Sequence, residues 1–326
     1  MGEFSPAIVS NSTCRRTETN TCLILQYHRV ALLHYDPLQL TVEPHKFESQ
    51  MEYLSNTCNV IPMDEMQRHI TAGRAFGSRT VVVTFDGGYS DILYTAKEIL
   101  ERYRIFATVF CSSANIMKRR QFWWDSLEDY IIANCAGQVV EVEIDNHVFK
   151  RPLRTQAERF RAYAELYSIM IEQTPGEQQA ILAQIRSADQ LKMDEPDNHS
   201  IMDGRELQEL AQSDLITIGG YTHNCVKLSV LRPWERVGEV VKNKTILQKV
   251  LTREIDCFCY PFGNSEDCVS TKTVEILKNA GFSLACGNSY GVVSTAHKIN
   301  RYDLPRVKVG NCNVYAFHGF LERFFG

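Results

Sequence analysis

The sequence predicts an α/β fold built on a parallel sheet or barrel. Two observations lead to it: short apolar runs of strand length, and amphipathic stretches of helical period between them. The runs Cys22–Gln26, Thr80–Phe85, Ala107–Cys111 and Leu215–Ile218 read as buried strands, with Asp256–Tyr260 as a fifth. The stretches Phe47–Leu54, Tyr94–Tyr103, Glu206–Ala211 and Pro233–Leu251 carry the helical period. The last opens with proline in its first turn, where the missing N–H costs nothing. Strand and helix alternating in this way argue for βα units, whose ligands collect at the C-terminal ends of the strands.

The composition narrows the class. A chain of 326 residues with 44% hydrophobic and 23% charged residues is ordinary globular material. Its net charge of −4, from 35 basic and 39 acidic residues, leaves no polybasic footprint, so nucleic acid is not the expected partner. No apolar run reaches the roughly 18 residues of a membrane span. The eleven cysteines are scattered and odd in number. The one close pair, Cys257 and Cys259, lacks the spacing of a zinc or redox motif, so buried thiols in a reducing compartment are expected. The first residues hold no secretory apolar stretch, which makes a cytoplasmic location the expectation. The sequons at Asn11, Asn198 and Asn243 then carry little weight.

One segment breaks the alternation. Between Cys111 and Gly204 the chain runs through RRQFWWDSLEDYI and then VVEVEIDNHVFKR, which reads as a hairpin around Asp145 and Asn146. Thr155 and Glu158 form a capping box before a helix bearing Phe160, Tyr163, Tyr167 and Met170, and a second helical stretch covers Pro175–Ile185. We read 112–203 as an α+β insertion on a single domain spanning 1–326, with the role of a wall or lid.

The chemistry-bearing residues follow the strands. VVVTFDGGYSD ends a buried run in Asp86 and two glycines that allow close approach to the backbone. The plain alternative for Asp86 is a cap on the next helix. CLILQYHRV ends at His28, a histidine that is either structural or a proton carrier. LITIGGYTHNCVKL supplies Tyr221, His223 and Cys225, FCYPFGN supplies Phe262, and YDLPRVKVG supplies Arg306. Trp123 and Trp124 in FWWD offer a flat face for a sugar ring or an anchor for the insertion, with Asp125 beside them to take a hydroxyl. His34, His45, His69, His147, His199 and His297 read as surface residues, and His318 as packing in an amphipathic C-terminal helix.

Seven strings occur in an order that resembles the polysaccharide deacetylase family, the NodB-homology group of carbohydrate esterase family four. They are YHRV at Tyr27–Val30, FESQMEYL at Phe47–Leu54, TFDGGY at Thr84–Tyr89, FWWDSLE at Phe122–Glu128, IGGYTHNCVKL at Ile218–Leu228, CYPFG at Cys259–Gly263 and LPRVKV at Leu304–Val309. Together they span most of the chain outside the insertion, in the manner of circularly permuted members that open on a Tyr-His strand. The resemblance implies a distorted (β/α) barrel and a hydrolase that removes acyl groups from N-acylated amino sugars. It makes Asp86 the general base, His28 the general acid and the N–H of Phe262 an oxyanion donor. Trp124, Asp125, Tyr221, Cys225 and Arg306 would face the substrate, with Arg306 also placed to orient or balance Asp86.

The resemblance also implies a divalent metal held by the second aspartate of TFDDG and the histidines of HTxxH. Here those positions are Gly87, Tyr221 and Cys225. Cysteine binds zinc readily, but glycine offers no donor and tyrosine is an uncommon ligand. Three expectations follow. The first is a hydrolase with a rebuilt or metal-free site, acting on an amino sugar or another small acylated amine and needing no cofactor. The second is a shifted zinc or other divalent site in which His223 or Cys225 joins Asp86. The third is an inactive NodB-fold protein that binds carbohydrate or assists a partner.

Overall fold

The computed structural model describes residues 18–133, 137–189, 199–263 and 269–325. The chain opens its central sheet with β1 (Thr21–Tyr27), β2 (Thr80–Gly87) and β3 (Ala107–Cys111). It then leaves the sheet for a separate antiparallel hairpin, β4 (Val139–Ile144) and β5 (His147–Pro152). It returns through β6 (Ile216–Gly220), β7 (Cys257–Cys259), β8 (Leu284–Cys286) and β9 (Val307–Lys308). The parallel order in space is β8-β7-β6-β3-β2-β1, with β9 alongside β1. Leu304 bridges to Cys286 of β8, and three residues later Val307 pairs with Leu25 of β1. One short segment therefore bonds both edges of the curled sheet, which gives the barrel-like α/β form that the sequence predicts.

Every residue of β2 is buried, as a strand covered on both faces must be. Its outward Phe85 stacks on Tyr27, their ring centroids 5.5 Å apart, beneath α1 (Pro44–Thr57). Phe47, Gln50, Met51 and Leu54 form the buried stripe of α1 at the spacing of helical turns. Burying Phe47 or Leu54 contributes about 1.5–3 kcal/mol each. The inward residues of the same strands, Gln26 on β1 and Thr84 and Asp86 on β2, are left to build the barrel interior.

The strands of the sheet are close to those expected, with two informative differences. β2 continues through Asp86 and Gly87, so Asp86 is a strand residue and caps no helix. β8 and β9 are too short and too ordinary in sequence to announce themselves, and they form because the barrel offers them partners. The expected helix at Tyr94–Tyr103 is a π-turn over Ile92–Ala96 that passes into an α-helix over Lys97–Arg102. Among the described residues no helix is long and apolar enough to cross a membrane.

Residues between β3 and β6 include α2 (Trp123–Glu128), the hairpin, α3 (Gln156–Met170) and α4 (Pro175–Asp189). Asp145 and Asn146 both have positive φ, 51° and 64°, as a two-residue hairpin turn demands. The Thr155–Glu158 capping box is formed. The sequons at Asn11 and Asn198 lie outside the described residues. Asn243, on α5 (Pro233–Leu251), is fully buried and so is closed to glycosylation. Its amide accepts from Tyr221 N and donates to the carbonyls of Cys111 and Thr222. A Cβ at position 220 would come within 2.6 Å of that side chain, which explains the second glycine of IGG.

Two histidines depart from expectation. His199 is buried, with Arg29 Nη1 2.8 Å from its Nδ1, and it lies beside Asp125, Glu128 and Asp129. His318 is exposed on α6 (Val314–Phe325), where Phe317 and Leu321 do the packing instead.

Candidate active site

Strand alternation brings the site together. In the β1–β2 register Gln26 faces Thr84 and Tyr27 faces Phe85, so the next pair along is His28 and Asp86. In the β1–β9 register Lys308 faces Gln26, which puts Arg306 two residues earlier on the same side. His28 Nε2 lies 4.0 Å from Asp86 Oδ2. Gln26, His28 and Asp86 line one cavity of about 260 Å³, together with Trp124, Tyr221 and Phe262. Ligand clefts commonly hold ~300–1,000 Å³, so this one is small.

Asp86 is fully buried and gripped by Arg306, which is itself buried. Arg306 Nη1 donates to Oδ1 and Nη2 to Oδ2, each at 2.7 Å, and Gln26 Nε2 donates to Oδ2 at 2.9 Å. Burial pushes the Asp86 carboxyl up, but the Arg306 guanidinium, His28 and the Gln26 hydrogen bond outweigh it and hold the group below the usual carboxylate range. Burial lowers His28 to about 4; Asp86 opposes that shift, and Lys308 and Arg306 add to it. Near neutral pH the pair is therefore a carboxylate facing a neutral imidazole.

The opposite wall is aromatic. Trp124 lies parallel to Phe122 at 4.4 Å and edge-on to Phe262 at 5.3 Å. Its indole N–H donates to Tyr89 Oη, which donates in turn to Asp125. Trp123 is turned away onto Tyr167, so one tryptophan of the pair faces the cavity and the other anchors. Phe262 has φ 56°, an uncommon conformation for a side chain of its size that sets the direction of its backbone N–H.

Three of the residues expected to face the substrate do not line this cavity. Asp125 is buried outside the cavity lining, held by Tyr89 and beside His199; its desolvated carboxyl rises to about 6. Cys225 is fully buried behind the wall. Arg306 reaches Asp86, Asn288 and the Gly287 carbonyl, not the cavity. In their place the lining holds Gln26, Asn288 and Lys308, which sequence reasoning missed. Gln26, a polar residue inside the apolar LILQY, was the one detectable signal among them.

The profile of the polysaccharide deacetylase family matches residues 73–285. The chain belongs to the polysaccharide deacetylase family. No curated protein matches it in sequence. Solved polysaccharide deacetylases and related enzymes share its fold at low identity. The Streptococcus pyogenes deacetylase PplD in complex with acetate aligns at 16% identity and TM-score 0.58, over 90% of this chain and 94% of that one. IcaB from Ammonifex degensii aligns at 14% and 0.59, over 95% and 99%. A de-N-acetylase from Aggregatibacter actinomycetemcomitans aligns at 14% and 0.56, over 92% and 99%. His28 and Arg306 fall outside the matched residues, one just after β1 and the other just before β9.

The residues at the three positions that correspond to metal ligands in polysaccharide deacetylases do not fit such an ion. Gly87 has no donor, and at its φ of 108° a Cβ would meet the Tyr89 and Phe122 rings at 3.1 and 3.2 Å. Tyr221 offers a phenol, an uncommon ligand, and burial raises both it and the Cys225 thiol well above their ordinary values. His223 turns to Ser113 Oγ at 2.8 Å and lines a different groove, which removes it from a shifted site with Asp86. Among the described residues no cluster of three or more His, Cys, Asp or Glu side chains is arranged for a metal.

Proposed function

We propose that this member of the polysaccharide deacetylase family hydrolyses the amide of an N-acylated amino sugar, or of a related small acylated amine, without the metal of its relatives. The observation that carries the reading is the His28 imidazole 4.0 Å from the Asp86 carboxyl in one cavity walled by Trp124 and Phe262. We assign the proton transfers to His28 and not to Asp86, because the Arg306 grip on both carboxylate oxygens leaves Asp86 a poor base.

In this reading His28 takes a proton from water as the water oxygen bonds to the acyl carbon. Asp86, still charged, stabilises the imidazolium so formed. The N–H of Phe262 donates to the developing oxyanion. The C–N bond then breaks, and His28 returns the proton to the departing amine. Carboxylic acid and free amine leave. Trp124 offers its ring to the sugar face.

The test is release of free amine from N-acetyl- and N-formylglucosamine, with and without a chelator. Turnover that survives chelation and falls by roughly two decades or more in His28→Gln is expected. Turnover that needs added zinc overturns the metal-free reading. A second reading, a non-catalytic sugar-binding protein, is favoured by the Arg306 grip that makes Asp86 a poor base. It gains if sugar binds and neither wild type nor His28→Gln releases amine.

A further inference from the structure

We infer that the substrate carries an anion, a carboxylate or phosphate, beside its acylated amine, and that Lys308 selects for it. This rests on reading the cavity as a deacylation site and adds the charge of what enters. The argument is a charge balance. Of the residues lining the cavity, Asp86 and Lys308 are the ions, since His28 is neutral and the tyrosines are protonated. The charge of Asp86 is already met by Arg306 through two hydrogen bonds beneath the floor. Among the described residues that leaves Lys308 as a cation with no carboxylate paired to it.

Lys308 is held in place without being neutralised. Its ammonium donates to the Leu38 carbonyl at 3.0 Å, and among the described residues no carboxylate lies within ion-pair distance of it. Asp36 is the acid that acts on it from farther off, and both of its oxygens are taken by the backbone N–H groups of Leu40 and Thr41. An ammonium has three donors, so two remain. Asn288 adds to this side of the cavity: its Oδ1 accepts from Arg306 Nη2, which leaves its NH₂ as a further donor. Lys308 is exposed at the cavity edge, so a neutral sugar would leave its ammonium to the Leu38 carbonyl and solvent. A carboxylate or phosphate would take charge-assisted hydrogen bonds from Lys308 and Asn288.

An anion there also helps the chemistry. Burial is the main cause of the low proton affinity of His28, and the positive field of Lys308 adds to it. A substrate anion beside Lys308 offsets that field, so the bound substrate raises the basicity of the group that must accept its proton.

The experiment is calorimetric binding to the full chain with three probes that share the acetamido sugar: N-acetylglucosamine, its phosphomonoesters and N-acetylmuramic acid. At least one anionic probe is expected to bind about tenfold tighter than the neutral sugar, with the margin shrinking at high salt. That ratio should fall towards one in Lys308→Gln and persist in Lys308→Arg. Equal or weaker binding of every anionic probe overturns the inference. So does a preference that survives Lys308→Gln, and so does failure of all probes to bind. Amine release from the neutral sugar with no anionic preference overturns this inference and leaves the hydrolytic reading standing. Anionic preference with no amine release does the reverse.

Discussion

Asp86 carries its charge buried away from bulk solvent, and Arg306 makes that tolerable. Neither partner is stable alone: a buried ion that loses its counter-ion costs about 3–5 kcal/mol, whereas removing both together costs far less. We therefore expect Asp86→Leu and Arg306→Met each to destabilise the protein by about that amount. The double variant should recover most of the loss. Urea unfolding of the four proteins closes the cycle, and additive losses would show that the pair is not coupled as the 2.7 Å contacts imply. His28 shows how far a string can be read. YHRV marked the histidine, but its neutrality follows from burial beside two cations, which no local pattern records. Asp125 is the opposite case: its place in FWWD suggested a sugar contact, and the fold spends it on Tyr89 instead.

At the scale of elements, the site depends on strands that end in register. β1 and β2 carry His28 and Asp86 to facing positions because Gln26 pairs with Thr84, and a slip of one residue would turn both catalytic candidates out of the barrel. β6 is tied to α5 by one side chain. Asn243 satisfies the Tyr221 amide and two carbonyls, all buried, so Asn243→Ala leaves three backbone groups without partners. A loss of about 3 kcal/mol is expected, read by urea unfolding. The cavity should suffer as well, because Tyr221 forms part of its wall. A variant within about 0.5 kcal/mol of wild type would mean that these bonds are readily replaced by water. The apolar runs marked β1, β2, β3, β6 and β7 to within a few residues. β8 and β9 stayed hidden because, unlike the equally short β7, neither sits in a longer apolar run that sets it apart from its flanks.

For the whole molecule, pH should act through buried groups with opposed signs. His28 is held near 4 when folded and titrates near 6.5 when unfolded. As pH falls from 6.5 towards 4 the unfolded chain takes up a proton that the folded chain refuses, so stability is lost across that window. Asp86, also held low, adds a loss at lower pH, below its ordinary carboxylate value. Asp125 runs the other way: its folded value is raised to about 6, so its contribution is greatest at acid pH and is lost as pH rises through 6. Melting temperatures between pH 7 and 4.5 should fall less steeply in His28→Gln than in wild type. Parallel curves would mean that His28 is protonated in the folded state.

The sequence by itself determined the α/β class, the hairpin turn at Asp145–Asn146, the Thr155 cap, the family, and the pairing of Asp86 with His28 as neighbours worth testing. All but the last depend on period, on turn chemistry and on short runs of adjacent residues; Asp86 and His28, far apart in the chain, were paired by the family resemblance. Only the tertiary structure decided the rest: that Arg306, expected to balance Asp86, lies outside the cavity lining, that Asp125, Cys225 and His199 are withdrawn into the interior, and that Lys308 stands as the cation at the cavity. Charge balance and burial are sums over residues far apart in sequence, brought together by a barrel whose two edges meet between Leu304 and Lys308.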